Sequence, residues 1–570
     1  MNVPQSAKPG VIRVGSNPWW WLALSVAVLL FVAATAPANA QSPAATQMGF
    51  DEARHLLNRT SFAAQVDEIN EFARLTRAEA VDRLLAETRR QASYPPPAWS
   101  QSYVRPYRPD MTQEERMKAN RRELVERGLE LRTWWVAEML STPSPFTERM
   151  TLFWHNHFAT SQQKSRSATL MYRQNVLFRK YSTGNFAAML REVGKDPAML
   201  IYLDGAQNRK GAPNENFARE VMELFTLGEG HYTEQDVKEA ARAFTGWSID
   251  GDTGEFRFRR AIHDDGVKKV LGQEGRFNGD DMITILLQQP ATSEFVVGKL
   301  WREFVSPDAN GAADTAAVKK LAGNWRAANY EIKPLLREML MSDAFWAPEN
   351  RAVLVKSPVD LVIGSLRQFR FSAEDPAPFA VILRQLGQDL FNPPNVKGWP
   401  GGDAWLNTTT LLARKGFLNR LFRADEMVKP GAGVTATNPS TMDAKPVGQP
   451  MDSMAMVGQS TAQLMDKDLV GANRQRAQMR LAARGTGAGS SGADAMTAAL
   501  PAFGVANQLR GQYFFNAEQW FAQQPKQREM NDDIIWRTVL AGPPVQASKD
   551  VPPTLVGLRS LALDPMYQLK

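Results

Sequence analysis

The sequence predicts an all-α protein, a large multi-helix domain with at most a small β-hairpin. Three observations carry that expectation. From Phe50 to Ala424 apolar residues recur at one-face helical spacing, alternating β-branched runs are scarce, and the absence of cysteine means that burial alone must hold the fold. In chain order the helical text includes Arg77 to Ala86, Gly128 to Leu140, Thr147 to Phe158, Thr292 to Val305, Ala316 to Ala328 and Pro334 to Phe345. Pro95, Pro96, Pro97, Pro106 and Pro109 make Tyr94 to Pro109 an irregular or polyproline crossing, because proline cannot continue a helix. The hairpin belongs at Ser248 to Arg259, where Asp250-Gly251-Asp252-Thr253-Gly254 separates Trp247 from the alternating Phe256 and Phe258.

The chain divides by composition. Residues 1–40 read as a signal peptide: Lys8 and Arg13, then the apolar run Trp19 to Ala36, then Ala38-Asn39-Ala40. The run also approaches the roughly 18 residues that span a bilayer. Pro37 and the small residues at Ala38 and Ala40 favour cleavage over anchoring, so no transmembrane segment is expected after it. No twin arginine precedes the run, which favours export of an unfolded chain, to the periplasm or beyond. Residues 41–424 form the helical domain. Residues 425–505, rich in Gly, Ala, Ser, Thr and Met, read as a low-complexity, largely disordered insert or linker. Residues 506–570 return to helical text, and Tyr513, Phe514, Phe515, Trp520 and Phe521 supply bulk for packing back on the main domain. A net charge of +7 is mild for 570 residues. Its cations are interleaved with acids, as in Arg116 to Arg132, so nucleic acid is not an expected partner.

The densest stretch is Asn214 to Trp247, NENFAREVMELFTLGEGHYTEQDVKEAARAFTGW. Pro213 precedes the first turn, Phe217, Val221, Leu224 and Phe225 share a face, and Gly228 stops the helix. Thr233 and Asp236 then stand three apart as a capping box for a second helix buried through Val237, Ala240, Ala241 and Phe244. With HDDGVKKVLG from His263, LGQDLFNPPNVKGWPGGDAW from Leu386, the closing ALDPMYQL, ARHLLNRTSF from Ala53 and TLFWHNHFATS from Thr151, this segment resembles the bacterial family called domain of unknown function 1800. The resemblance spans most of Phe50 to Arg423 and the last residues. It implies no reaction. It does imply export, and a secreted alkaline-phosphatase- or sulfatase-like protein as partner, because many members lie beside genes for such a family.

Candidate chemistry falls into three groups. All five histidines lie in the first half. His155 and His157 form an H-x-H pair that would chelate a divalent metal on a strand; on the helix predicted there the two point roughly 200° apart, and a satisfied core histidine is the plainer reading. Glu220 and Glu223, three apart, fit one helical face, and Glu215 sits at the positive end of the helix dipole. With His155 and His263, Glu215 and Glu220 would serve a hydrolase of glycan or peptide. The bland alternative is a solvated flank paired with Arg219. Asp204, Asn208, Asn214 and Glu215, or Asp250 and Asp252, offer oxygen ligands without meeting the EF-hand pattern, and ordinary Asx and glycine turns explain them equally. Lastly, Pro and Gly in Asn392 to Trp405 present Lys397, Trp399 and Trp405, which with Trp247 suit a glycan or a partner's aliphatic surface unless the indoles plug the core. Two functions stand from this reading: an exported binding or accessory protein, and a secreted hydrolase with or without a divalent ion.

Overall fold

The computed structural model describes residues 46–105, 110–426, 513–524, 534–549 and 551–570. The predicted leader at 1–40 and nearly all of the predicted insert at 425–505 lie outside them. The described residues are mainly helical, with three sheets of two strands each, as the periodicity requires. None of their helices is long and apolar enough to cross a membrane.

Local sequence chemistry sets many of the helix starts. Thr76 with Glu79, Thr112 with Glu115, Thr233 with Asp236, Asn278 with Asp281 and Ser357 with Asp360 each form a reciprocal capping box. Pro145, Pro197, Pro290 and Pro358 stand in the first turn of their helices, where the missing N–H would have had no helical partner. The expected hairpin is present, Trp247–Ile249 pairing antiparallel with Phe256–Phe258. A second one, Lys268–Val270 with Gln273–Gly275, turns on Leu271 and Gly272, both at positive φ. Leu271 bears that conformation with its N–H held 2.7 Å from a carboxylate oxygen of Asp236. The helix expected from Pro334 to Phe345 is two, Ile332–Leu340 and Asp343–Trp346, because Ser342 caps a fresh start.

The interior contains two apolar clusters. One gathers the N-terminal helices, the signature hairpin and the helices through Trp346; the other joins Trp134, Trp135 and the 359–391 region to Trp399, Trp405, Phe515, Trp520 and Tyr567. Helix Pro145–His157 serves both: Phe146, Met150 and Trp154 enter the first cluster and Leu152 the second. It also carries two buried ion pairs, Glu148 to Arg179 at 2.6 Å and Arg149 to Asp360 at 2.5 Å. The C-terminal residues lie against this frame. Trp520 Nε1 donates to the Gln368 carbonyl at 3.0 Å, Ser372–Ala373 pairs with Tyr513–Phe514, and Lys570 Nζ reaches Asp360 at 2.9 Å.

Candidate functional site

The signature segment builds a face of its own. Asn214 caps its helix by accepting from the Asn216 N–H, and Phe217, Ala218, Val221, Met222 and Phe225 turn inward. Glu215, Arg219, Glu220 and Glu223 are left half-buried on the outer side. From Val221 to Thr226 the backbone widens into a π-helix, which Thr226 Oγ1 supports by donating to the Val221 carbonyl at 2.7 Å. Short π-helical insertions are frequent at functional sites. Gly228 and Gly230 then take φ of 81° and 84° and reverse the chain.

Like charges meet on this face. Burial, reinforced by the charge of Glu223, pushes the Glu220 carboxyl above its usual range, against the opposing pull of Arg219 and Lys397. Tyr232, from beyond the turn, donates its hydroxyl to the Glu223 carboxylate; burial and that bond push its phenol up to about 12. Tyr202 is raised as well, first by burial and then by the Glu220 charge. Lys397 Nζ approaches Glu229 at 3.2 Å, so the loop after Asn392 closes one end of the face. At the other end Glu215 pairs with Arg219 at 3.3 Å, and Arg219 grips Glu234 with two nitrogens, each at 2.7 Å. Beyond Tyr202 a cleft of about 300 Å³ opens between helix Gln162–Ser165 and helix Pro197–Tyr202. Asp204 lies there, paired with Lys164 at 2.9 Å.

The histidines sit elsewhere. His155 is 2 % exposed, and its ring lies 4.6 Å from the centroids of both Trp135 and Phe178. Asn175 accepts from Arg179 through Oδ1, so its Nδ2 donates to His155 Nε2 at 3.0 Å, and the imidazole is an acceptor there. Burial, then the Arg179 charge, holds His155 neutral, well below its ordinary pKa. His157 points to the other flank, as the helix dictates: its Nε2 donates to the Phe225 carbonyl at 3.1 Å and its ring packs on Phe158. His263 donates from Nδ1 to the Thr245 carbonyl at 2.8 Å. No hydrogen bond or ion pair joins any two of Glu215, Glu220, His155 and His263. Among the described residues no group of three acidic or histidine side chains is arranged to hold a metal ion. The oxygen-rich loops serve local turns: Asn208 Oδ1 accepts from the Asn214 N–H, and Asp250 Oδ1 from those of Asp252 and Thr253.

Of the predicted ligand surface only Lys397 remains open. Trp247, Trp399 and Trp405 are 2 %, 4 % and 5 % exposed, so protein covers their ring faces. The reason is visible at Gly398. It has φ of 91°, and a Cβ there would stand 2.3 Å from Asn156 Oδ1, the same oxygen that accepts from the Trp399 N–H. The loop is pinned against helix Pro145–His157 and drives its indoles inward.

Residues 55–540 match the family described as protein of unknown function (DUF1800). The chain belongs to that family. No curated protein and no solved structure matches it. The DUF1800 match includes the helix, turn and loop that make the acidic face. Sequence reasoning found Glu215, Glu220 and Lys397 of that face and missed Tyr202 and Tyr232. Tyr232 had a local signal, a lone tyrosine just past a glycine turn that folds back toward Glu223. Tyr202 had none, since tertiary packing alone brings it to Glu220.

Proposed function

We propose that the protein works outside the cytoplasm as a binding or accessory protein of the cell envelope or extracellular space, with the outer side of the signature hairpin as its recognition face. One contrast supports the reading. Each of the buried histidines makes a hydrogen bond within the fold, whereas Glu220, half-buried beside Glu223, has no hydrogen-bond or ion-pair partner among the described residues. A carboxylate held partly desolvated next to another carboxylate is unfavourable in the free protein, and an incoming cation relieves it. Tyr202 and Tyr232 flank it with amphipathic rings of the kind that anchor interfaces. The leader-like residues 1–40 support an exported location, and the family resemblance makes a secreted alkaline-phosphatase- or sulfatase-like protein the expected partner. The test is capture from the exported fraction with the purified protein as bait. A phosphatase- or sulfatase-like protein should be retained by the wild-type chain and lost with Glu220→Gln/Glu223→Gln; its absence from the wild-type capture overturns the reading.

A second reading, a secreted hydrolase of glycan or peptide, draws on the same pair. Glu220 holds its proton more tightly than an ordinary glutamate and stands beside a second carboxylate, Glu223, which accepts from the Tyr232 hydroxyl, an arrangement suited to acid and base roles. Hydrolysis abolished by Glu220→Gln, with a pH profile whose acid limb shifts in Glu223→Gln, would establish it, and elemental analysis would decide whether a divalent ion takes part.

A further inference from the structure

We propose that the cleft between helix Gln162–Ser165 and helix Pro197–Tyr202 binds a single anionic sugar unit, a pyranose bearing a carboxylate or sulfate. The inference adds a small-ligand subsite to the recognition face and rests on that reading for the source of the ligand, the glycans outside the cell.

The lining combines three kinds of chemistry. Lys164 and Arg166 are cations on one rim, Gln163 and Gln207 offer amide donors and acceptors, and Leu200 with Ile201 forms an aliphatic floor. A sugar ring needs all three: hydroxyls for the amides, an apolar C–H face for the floor, and here an acidic substituent for the cations. An inorganic anion has no use for the apolar floor, and a neutral sugar brings no counter-charge for the cations. About 300 Å³ is at the lower end of the volume range of ligand pockets, which suits one ring rather than a chain of them.

The backbone points to the same place. Arg166 and Asp204 both adopt the left-handed conformation, with φ of 54° and 58°, although neither is glycine. Both line this cleft, one closing helix Gln162–Ser165 and the other opening the turn Gly205–Gln207. Left-handed non-glycine residues cluster where a side chain must be presented at a defined point. Arg166 thereby places a guanidinium group at the cleft where glycine would have relieved the backbone.

The charges are set to exchange. Lys164 Nζ lies 2.9 Å from Asp204 and 5.7 Å from the Tyr202 ring, and the ion pair is substantially exposed, at 44 % and 38 %. A pair this solvated is weakly held. An entering carboxylate or sulfate draws Lys164 away from Asp204, and the freed carboxylate then accepts from a ring hydroxyl. The Glu220 charge is felt at Tyr202, so the cleft adjoins the acidic face, whose like charge turns a longer acidic glycan away and favours a single anionic unit.

The test is titration of the purified protein, by calorimetry, with glucuronate, glucose 6-sulfate, glucose and inorganic sulfate. Glucuronate or glucose 6-sulfate should bind at least about tenfold tighter than either glucose or inorganic sulfate. Lys164→Ala and Arg166→Gly, the latter keeping the left-handed backbone free of strain, should each weaken that binding about tenfold with the unfolding midpoint preserved. Binding by neither acidic sugar, equal binding of glucose, equal binding of sulfate alone, or indifference to both substitutions overturns the proposal. Because the titration uses no protein partner, loss of this subsite and loss of partner capture by Glu220→Gln/Glu223→Gln are separate results.

Discussion

Helix Pro145–His157 and the signature helix from Glu215 to Thr226 both mix aromatic, acidic and basic residues in one short block, yet they handle charge in opposite ways. On the first, Glu148 is gripped by two nitrogens of Arg179 and by Trp135 Nε1, Arg149 is bound to Asp360, and His155 is neutral among aromatic rings. On the second, Glu220 and Glu223 repel one another at the surface, and among the described residues Glu220 has no hydrogen bond or ion pair. The difference teaches where to look for function. A buried charge paired with its opposite inside the protein is committed to the fold, whereas a half-buried charge beside its like is available to something else.

The largest way to break that comparison is to unpair the interior. Arg179→Met leaves Glu148 buried beside Trp135 without its cation and should cost about 3–5 kcal/mol of stability, read by denaturant unfolding. A loss below about 1 kcal/mol, the range of exposed pairs, would place the two helices in the same class.

Acid sharpens it further. His55, His155 and His157 all have folded pKa values below the ordinary 6.5, chiefly through burial. For such a group the unfolded chain binds the proton first, so its stabilising contribution is present above pH 6.5 and is lost as pH falls toward the folded value. Each contributes a slope of about 1.4 kcal/mol per pH unit in that window. His155→Gln should therefore flatten the stability profile between pH 6.5 and 5 by about that slope, and an unchanged profile would mean that His155 titrates freely.

Next in size is the hairpin's second start. Thr233 Oγ1 accepts from the Asp236 N–H, and the Asp236 carboxylate accepts from the Thr233 N–H. Thr233→Ala should lower the unfolding free energy by about 1 kcal/mol. A drop as large as that of Arg179→Met would show that the turn is a keystone rather than a local cap.

The smallest effect belongs to the acidic face. Because the folded Glu220 carboxyl holds its proton above the unfolded value, its favourable contribution is present in acid and disappears as pH rises through its folded pKa. Glu220→Gln should leave stability at neutral pH unchanged or slightly higher, and the wild type should lose ground to the variant as pH rises above the ordinary glutamate range. A destabilised variant would mean that Glu220 has a structural partner after all.

What was legible in the sequence is what neighbours in the chain decide. The helices, the Thr233–Asp236 box, the Trp247 hairpin and the turn at Gly228 all follow from residues within a few positions of each other. The π-helix at Val221–Thr226 was not legible, because its spacing of apolar residues is also that of an α-helix. Nor was the fate of the tryptophans. The Asn392 to Trp405 text suits a displayed loop, and only Asn156, distant in sequence, turns Trp399 inward. The same limit hid Tyr202 and the cleft, where helix Gln162–Ser165 and helix Pro197–Tyr202 meet through packing alone. The outward carboxylates were readable from helical spacing; that Glu220 makes no ion pair among the described residues was not.

Parallel capture from the exported fraction by Glu220→Gln/Glu223→Gln and by His155→Gln, at equal folded content, tests the division between the two helices most directly. The acidic-face variant should lose the phosphatase- or sulfatase-like protein while keeping the wild-type unfolding midpoint, and the His155 variant should retain it at a lowered midpoint. Retention by the first with loss by the second would contradict the account.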